Sequence, residues 1–289
     1  MSHTTLISAS ELHALAASGK PMMVFDCSFD LAAPGAGEQG YLGGHIPGAV
    51  YAHLDKALSA GTEDQRASGG RHPLPTREAF ANWLSSIGFA NGMQAVVYDR
   101  NGSAFCGRLW WMLKWLGHDA VAVLDGGLQA WTQAGGSLAQ GNEQARAATH
   151  FRVDEPLRQL ATAQQVLHHL GMPDQTLIDA RATPRYRGEV EPLDPVAGHI
   201  PGALNRPFTD NFGPDGRFKS PETLRAEFLT LLAGRDPGSV VNHCGSGVTA
   251  NPNVLALELA GLGKAALFAG SWSEWCSDAT RPVEKATPP

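Results

Sequence analysis

The sequence predicts an α/β protein made of two copies of one domain, each a mostly parallel sheet flanked by helices. The strongest observation is an internal repeat: the six residues Gly44–Ala49 recur unchanged as Gly198–Ala203, 154 positions later. Upstream of each block a short apolar run ends in an aspartate, at Asp26 and again at Asp179. Matches that keep the same order at nearly constant spacing indicate a duplicated domain.

Apolar runs typical of strands alternate with helical patterns in both halves. In the first half we predict strands at 22–26, 95–98 and 120–124, with helices near 77–87 and at 107–115. In the second half we predict strands at 176–178, 239–242 and 265–268, with helices near 222–232 and at 254–262. Alternating strands and helices favour a parallel sheet, whose ligands bind at the carboxyl ends of the strands.

The repeat sets the expected domain boundaries. We expect an N-terminal domain at residues 1–138, a linker at 139–152 and a C-terminal domain at 153–289. The stretch 135–149 is rich in Gly, Gln, Ala and Asn, a composition typical of linkers. Two domains of this size agree with a chain of 289 residues.

Composition excludes several classes of partner. The chain is 43% hydrophobic and 17% charged, with a formal net charge of −6, which argues against nucleic-acid binding. It has no apolar run of about 18 residues and no secretory signal, so we expect no membrane association. The four cysteines lack metal-ligand spacing, so we expect no metal, no cofactor and free thiols in a reducing cytoplasm.

Residues 239–249 carry the chemistry that the sequence predicts. A β-branched pair, Val240 and Val241, precedes Cys244, which is followed by two glycines that flank Ser246. Glycines permit positive φ, so several N–H groups can turn toward one point near the start of the following helix. A thiol at that point should have a lowered pKa and act as a nucleophile.

The loop distinguishes between possible reactions. Cysteine-dependent phosphatases need an arginine six residues after the cysteine, and here that position is Ala250. No cation lies between Cys244 and Thr249, so a sulfane sulfur suits the loop better than a phosphate or arsenate dianion.

In the first copy Asp99 aligns with Cys244, so that copy is predicted to be catalytically silent. A non-catalytic binding module remains an alternative for the whole chain.

The segment Cys244–Thr249 resembles the active loop of rhodanese-like sulfurtransferases, of the kind that use 3-mercaptopyruvate. The resemblance implies two tandem rhodanese-like domains and a sulfur transfer from 3-mercaptopyruvate through a Cys244 persulfide, with release of pyruvate. The acceptor would be cyanide or a thiol, such as thioredoxin or a small thiol. Backbone donors would come from the rest of the loop: Gly245, Gly247, Val248 and Thr249. Thiosulfate is the alternative donor, although members that prefer it usually carry basic residues directly after the cysteine.

The resemblance also implies roles outside the loop. Ser246 would relay a proton together with His72 and Asp55, since the enolate of pyruvate must be protonated. Arg185 would bind the substrate carboxylate, with Arg187 as the alternative. A second substrate arginine is often found about nine residues further on, but residues 191–194 contain none.

Two repeated histidines are expected to be structural. His45 and His199 lie in the repeated blocks, and the copy that lacks the cysteine keeps this histidine too. A turn-bracing role is therefore favoured over metal binding.

Overall fold

The computed structural model describes residues 2–285, which form two compact units. The first unit runs to Gln65 and also contains Pro75–Leu157 and Pro214–Phe218. The second contains Arg66–Leu74 and Arg158–Gly213, and continues from Lys219 onward. Met1 and residues 286–289, which the expected boundaries include, lie outside the described residues, and the boundaries at 138 and 153 remain a prediction.

The first unit is built on a five-stranded parallel sheet. Its strands are β1 Leu6–Ile7, β2 Met22–Asp26, β3 Val50–Tyr51, β4 Gln94–Tyr98 and β5 Val121–Leu124, in the spatial order β1-β5-β4-β2-β3. Its helices are α1 Ala9–Ala17, α2 Ala36–Gly43, α3 Arg77–Ser86, α4 Cys106–Trp115 and α5 Gly127–Gln133. Neighbouring strands of this sheet pair in parallel.

The core of the first unit surrounds β4 and α4. Every residue of both elements is buried, including Trp110 and Trp111. Burial of an aromatic side chain stabilises the fold by roughly 2–3 kcal/mol, so these two elements supply much of the unit's stability. A central strand that is apolar on both faces is expected when helices cover both sides of a parallel sheet.

The second unit repeats this architecture with four parallel strands. Its strands are β6 Thr176–Asp179, β7 Leu204–Asn205, β8 Val240–His243 and β9 Ala266–Leu267, in the order β7-β6-β8-β9. Its helices are α6 Ala163–His168, α7 Thr183–Arg187, α8 Pro221–Leu232, α9 Asn251–Leu259 and α10 Ser271–Trp275. The predicted α/β class, with parallel sheets flanked by helices, is confirmed.

One predicted helix is displaced. The helix expected at 254–262 is α9, which begins three residues earlier and ends at Leu259. Pro252 lies in its first turn, where the missing N–H costs nothing, and Gly261 follows the helix with a φ of +66°. The short helix α7 and the two-residue strands β1, β3 and β7 were not predicted, because their sequences carry no sustained period, whereas β9 is the strand predicted at 265–268.

The repeated blocks have the same geometry in both units. The ring of His45 stacks on Tyr41 at 3.9 Å and bonds its carbonyl at 2.8 Å. The ring of His199 stacks on Tyr186 at 3.9 Å and bonds its carbonyl at 2.8 Å. Each histidine therefore ties the repeated block to the helix before it.

Among the helices of the described residues, none combines the length and the apolar character needed to cross a membrane.

Candidate active site

Cys244 lies directly after β8, at the carboxyl end of a central strand of the second sheet. Its N–H donates to the hydroxyl of Ser271 at 3.0 Å, and its carbonyl accepts from the N–H of Trp272 at 3.0 Å. The residue is buried, with 1% of its surface exposed. The start of α10 therefore fixes the backbone of the proposed nucleophile from both sides.

The loop after Cys244 is curved by a glycine that no other residue can replace without strain. Gly247 has a φ of +73°, and a Cβ built on it would lie 2.0 Å from the carbonyl oxygen of Ala269. The side-chain amide of Asn251 donates to the carbonyls of Gly247 and Val248, at 3.0 Å and 2.7 Å. Asn251 is the first residue of α9, so this helix holds both carbonyls of the loop.

Several N–H groups of the same loop remain available for a ligand. Within the described residues, the backbone N–H groups of Gly245, Ser246, Val248 and Thr249 donate to no acceptor. Buried N–H groups are rarely left unpaired, so such a cluster indicates a binding site for an anion.

The structure places His72 at the loop, as the sequence predicts. Its Nδ1 lies 2.8 Å from the hydroxyl oxygen of Ser246, although the two residues are 174 positions apart. His72 belongs to the segment Arg66–Leu74, which is part of the second unit. A ring nitrogen at this distance is within reach for proton exchange with the hydroxyl.

Asp55, the third residue of the predicted relay, belongs to the first unit. Its N–H donates to the Nδ1 of His53 at 3.1 Å, which defines the turn that follows β3. The role of the Asp55 carboxylate remains a prediction.

Arg185 extends from α7 over the loop. A Cβ built on Gly245 would lie 3.4 Å from Nη1 of Arg185. Its Nη2 bonds Glu191 at 2.6 Å and Asp194 at 3.3 Å, and its Nε bonds Glu191 at 3.2 Å. Burial acts to raise the pKa of Glu191, but the hydrogen bonds from Arg185 and from nearby backbone N–H groups outweigh it and lower that pKa.

Arg187, the alternative carboxylate-binding residue, extends into solvent. Its guanidinium is 3.8 Å from the carboxylate of Glu189, and more than half of its side chain is exposed. The geometry therefore favours Arg185 over Arg187.

Sequence reasoning missed two residues of the site, Arg71 and Asp194. Arg71 forms an ion pair with Asp194, and one of its guanidinium nitrogens is 3.3 Å from the Cβ position of Gly245. The only sequence signal was that Arg71 precedes His72. A contact between residues more than 120 positions apart cannot be read from local pattern.

The four cysteines are unpaired, and all are buried. Burial raises the pKa of Cys27, of Cys106 and of Cys276. These three thiols are therefore poor nucleophiles at neutral pH. In the part of the chain that the structure describes, no group of three or more His, Cys, Asp or Glu side chains is placed to hold a metal ion.

The matching loop of the first unit encloses a carboxyl group of its own. Asp99 follows β4 as Cys244 follows β8, and it is 1% exposed. One of its oxygens accepts from the N–H groups of Asn101 and Ser103, and the other from those of Phe105 and Cys106, all at 2.9 Å. Burial raises the pKa of Asp99, although these four hydrogen bonds oppose the rise.

Comparison with known proteins agrees with this architecture. The family model described as "Rhodanese-like domain" matches residues 8–134 and 162–278. The chain belongs to the rhodanese-like family. Each rhodanese-like match contains one of the two compared loops, so the family resemblance extends over both units.

Similar proteins are named as sulfurtransferases. The chain is 47% identical to a protein of Pseudomonas aeruginosa named a probable 3-mercaptopyruvate sulfurtransferase, over 98% of this chain and 99% of that one. It is 33% identical to the thiosulfate sulfurtransferase of Bos taurus, over 89% of this chain and 86% of that one. The structure of the 3-mercaptopyruvate sulfurtransferase from Leishmania major superposes with a TM-score of 0.81 at 32% identity, covering 97% of this chain and 76% of that one. This rhodanese-like chain is an enzyme of the sulfurtransferase class.

Proposed function

We propose that the enzyme transfers the sulfur of 3-mercaptopyruvate through a persulfide on Cys244. The thiolate of Cys244 attacks the sulfur of the donor, so an S–S bond forms while the C–S bond breaks. The electron pair of that C–S bond leaves with pyruvate enolate, and the proton of the donor thiol stays on the terminal sulfur. The observation that carries the proposal is the buried cysteine in a loop where four N–H groups have no acceptor among the residues that the structure describes. Such donors can stabilise a negatively charged sulfur.

Ser246 and His72 would supply the proton that the enolate needs. Their contact of 2.8 Å lets the imidazole and the hydroxyl pass a proton toward the carbon that loses sulfur. Asp55 would orient the imidazole in this scheme, as carboxylates do for catalytic histidines.

The charges over the loop favour a monoanionic donor. Arg185 lies beside Gly245, but Glu191 and Asp194 both bind its guanidinium. The cation is therefore partly neutralised before any ligand arrives. A carboxylate with one charge needs less compensation than the thiosulfate dianion.

Thiosulfate remains the second candidate donor. Two guanidinium groups lie close to Gly245, which is where a dianion would need them, and relatives carry either donor in their names.

We also infer the acceptor and the setting of the reaction. A thiol acceptor, such as thioredoxin or a small thiol, would attack the outer sulfur and return Cys244 to its thiolate. The unpaired cysteines agree with a reducing compartment such as the cytoplasm. The loop of the first copy, which has Asp99 in the place of a cysteine, would accept no sulfur.

The decisive test compares the two donors. Purified enzyme is given 3-mercaptopyruvate or thiosulfate with cyanide as the acceptor, and thiocyanate is measured, with Cys244→Ser as the control. We expect kcat/KM to be at least about tenfold higher for 3-mercaptopyruvate, and Cys244→Ser to form no thiocyanate. A preference for thiosulfate would overturn the donor assignment, and wild-type rates in Cys244→Ser would overturn the persulfide.

A further inference from the structure

We propose that Glu274 is a positioning residue, which holds His72 at the distance from Ser246 that proton exchange needs. Ser273 assists it through a second hydrogen bond. This inference rests on the proposed function, because it assumes that the imidazole and the hydroxyl deliver a proton to the departing enolate. It concerns two residues of α10 that no motif of the sequence marked as functional.

The first support is that α10 holds the loop that contains Ser246. The N–H of Trp272 donates to the carbonyl of Cys244 at 3.0 Å, and the N–H of Ser273 donates to the carbonyl of Gly245 at 2.9 Å. These carbonyls belong to the two residues directly before Ser246. The first turn of α10 therefore sets the position of the serine.

The second support is that the same helix holds the segment that contains His72. The N–H of Gly69 donates to Oε2 of Glu274 at 3.2 Å, and the N–H of Arg71 donates to Oγ of Ser273 at 3.1 Å. Both donors lie within three residues of His72. Two neighbouring side chains of α10 therefore bind the backbone that leads to the imidazole.

The third support is how closely this segment fits against the start of α10. A Cβ built on Gly69 would lie 2.7 Å from Cγ and Cδ of Glu274, and one built on Gly70 would lie 2.5 Å from the carbonyl oxygen of Gly270. Gly70 also has a φ of +87°, which favours glycine. Because the backbone of the segment packs on the Glu274 side chain, removal of that side chain would leave space into which the segment can shift.

The carboxylate of Glu274 is partly removed from water in this arrangement. Burial raises its pKa, although the N–H of Gly69 and the charge of Arg281 oppose the rise. A hydrogen bond is stronger where water competes less for the acceptor. The bond between Gly69 and Glu274 is therefore suited to hold the segment in place.

The contact between His72 and Ser246 depends on this common support. The two residues are 174 positions apart, and Nδ1 of the imidazole meets the hydroxyl oxygen at 2.8 Å. A displacement of about 1 Å at a reacting group can slow a reaction by about 10²-fold. Because α10 binds the backbone near each residue, it keeps the imidazole and the hydroxyl within reach of each other, and Glu274 supplies the bond on the imidazole side.

The two sulfur donors separate positioning from folding. Transfer from 3-mercaptopyruvate leaves an enolate that must gain a proton at carbon, whereas thiosulfate leaves sulfite, which needs no such proton. The measurement is kcat and KM for each donor, with cyanide as the acceptor, in wild type, Glu274→Ala and Glu274→Gln.

We expect Glu274→Ala to lower kcat with 3-mercaptopyruvate about tenfold or more, because a misplaced acid–base group loses much of its contribution. Transfer from thiosulfate should stay near the wild-type rate. Glu274→Gln should restore most of the activity, since its amide oxygen can still accept from Gly69. The matched control is Glu143→Ala, which removes a carboxylate that accepts the N–H of Gly48 at 2.7 Å in the first unit, and both of its activities should match wild type.

A spectroscopic test needs no sulfur donor. The Cε1–H signal of His72 is identified by NMR through its loss in His72→Gln, and its chemical shift is measured with and without Ser246→Ala. In the wild-type background we expect Ser246→Ala to displace this signal, because the imidazole loses its hydroxyl partner. In the Glu274→Ala background the same substitution should leave the signal nearly unmoved, since the two groups are then no longer in contact.

An equal loss with both donors in Glu274→Ala would overturn the inference, because Glu274 would then serve the fold alone. An undiminished effect of Ser246→Ala in the Glu274→Ala background would overturn it as well. The two proposals can fail separately. If wild type uses thiosulfate but not 3-mercaptopyruvate, the proposed donor is wrong and the spectra alone decide the role of Glu274. If 3-mercaptopyruvate is preferred and Glu274→Ala does not change that preference, only the role of Glu274 is wrong.

Discussion

Two loops at equivalent positions of the two sheets differ in what they enclose. After β4, four backbone N–H groups converge on the Asp99 carboxyl at 2.9 Å each. After β8, four N–H groups of the loop have no acceptor within the described residues, and the residue in place of Asp99 is Cys244. The fold therefore forms a loop of this kind twice, and in the first copy the N–H groups are bound by a side chain of the loop itself.

The difference shows which donors stay open beside Cys244. A carboxyl group that accepts from four N–H groups stabilises its loop and makes those four donors unavailable to a ligand. A thiol is a weak acceptor, so the donors around Cys244 stay available for a charged sulfur. The second unit also has Ser246 and His72 in contact, whereas the residues that follow Asp99 are an arginine and Asn101.

The largest expected effect comes from making the second loop resemble the first. Cys244→Asp should abolish sulfur transfer, a loss of about 10⁴-fold or more, because a carboxylate cannot accept sulfur. The protein should still fold, since the new carboxylate can accept from the free N–H groups. Thiocyanate formation and urea unfolding measure the two effects. Residual transfer above about 1% of wild type would contradict the comparison.

The reverse exchange tests the first loop. Asp99→Cys should lower the free energy of unfolding by about 3–4 kcal/mol, because four buried N–H groups lose a carboxyl acceptor. It should gain no transfer activity. Asp30→Asn is the control: this exposed carboxylate accepts one N–H, from Ala32, and its loss should cost less than about 1 kcal/mol. Equal costs for the two variants would mean that the Asp99 hydrogen bonds do not stabilise the loop.

The two loops show which features of the site could be predicted from the sequence. The repeat and the family resemblance predicted that Cys244 follows a strand, that Asp99 has the equivalent position and that His72 lies beside Ser246, and the structure has these three arrangements. The catalytic silence of the first copy stays a prediction. The repeat located the two loops because aligned strands end at equivalent places on two sheets. The bounds of α9 were wrong by three residues, since Pro252 in a first turn carries no periodic signal.

Arg71 and Asp194 could not have been predicted from the sequence. Their pairing depends on how residues 66–74 lie against α10, which is a tertiary arrangement between segments far apart in the chain. In the sequence, Asp194 lies where the resemblance implies an arginine. In the structure its carboxylate binds the guanidinium groups of Arg71 and Arg185, which explains an aspartate at this position.

A pair of glycines sharpens the comparison between the loops. Gly102 and Gly247 each lie three residues after the compared side chain, with φ of +64° and +73°. A Cβ on Gly102 would meet nothing within 4 Å, whereas one on Gly247 would lie 2.0 Å from Ala269. Gly102→Ala should therefore cost only the backbone strain, about 1 kcal/mol, and leave transfer unchanged. Gly247→Ala should cost about 2–3 kcal/mol and slow transfer about 10²-fold, because the loop must shift.

Unfolding in urea and transfer kinetics on both variants measure this difference. If Gly102→Ala impaired transfer as much as Gly247→Ala, the two loops would be equivalent in function and the comparison would fail.

The smallest expected effect concerns the residue before each loop, which is Tyr98 in the first unit and His243 in the second. Burial lowers the pKa of His243, although the charge of Asp179 opposes this; Arg181 and His199 add to the lowering. The neutral ring therefore contributes stability that is present above about pH 6.5 and is lost as the pH falls through the lowered pKa of the folded state. Between pH 6.5 and 5, the free energy of unfolding should fall by up to about 1.4 kcal/mol per pH unit from this group.

His243→Leu should remove that part of the slope, while Tyr98 gives the first unit no counterpart, because burial raises its pKa far above this range. The matched control is His118→Leu, since burial also lowers the pKa of His118 in the first unit. Each variant should remove its own share of the acid sensitivity, and the double variant should remove both, because the two histidines do not touch the same groups. If His243→Leu left the dependence of the unfolding free energy on pH unchanged, protonation of His243 would not contribute to acid sensitivity. The difference between Tyr98 in the first unit and His243 in the second would then have no consequence for stability.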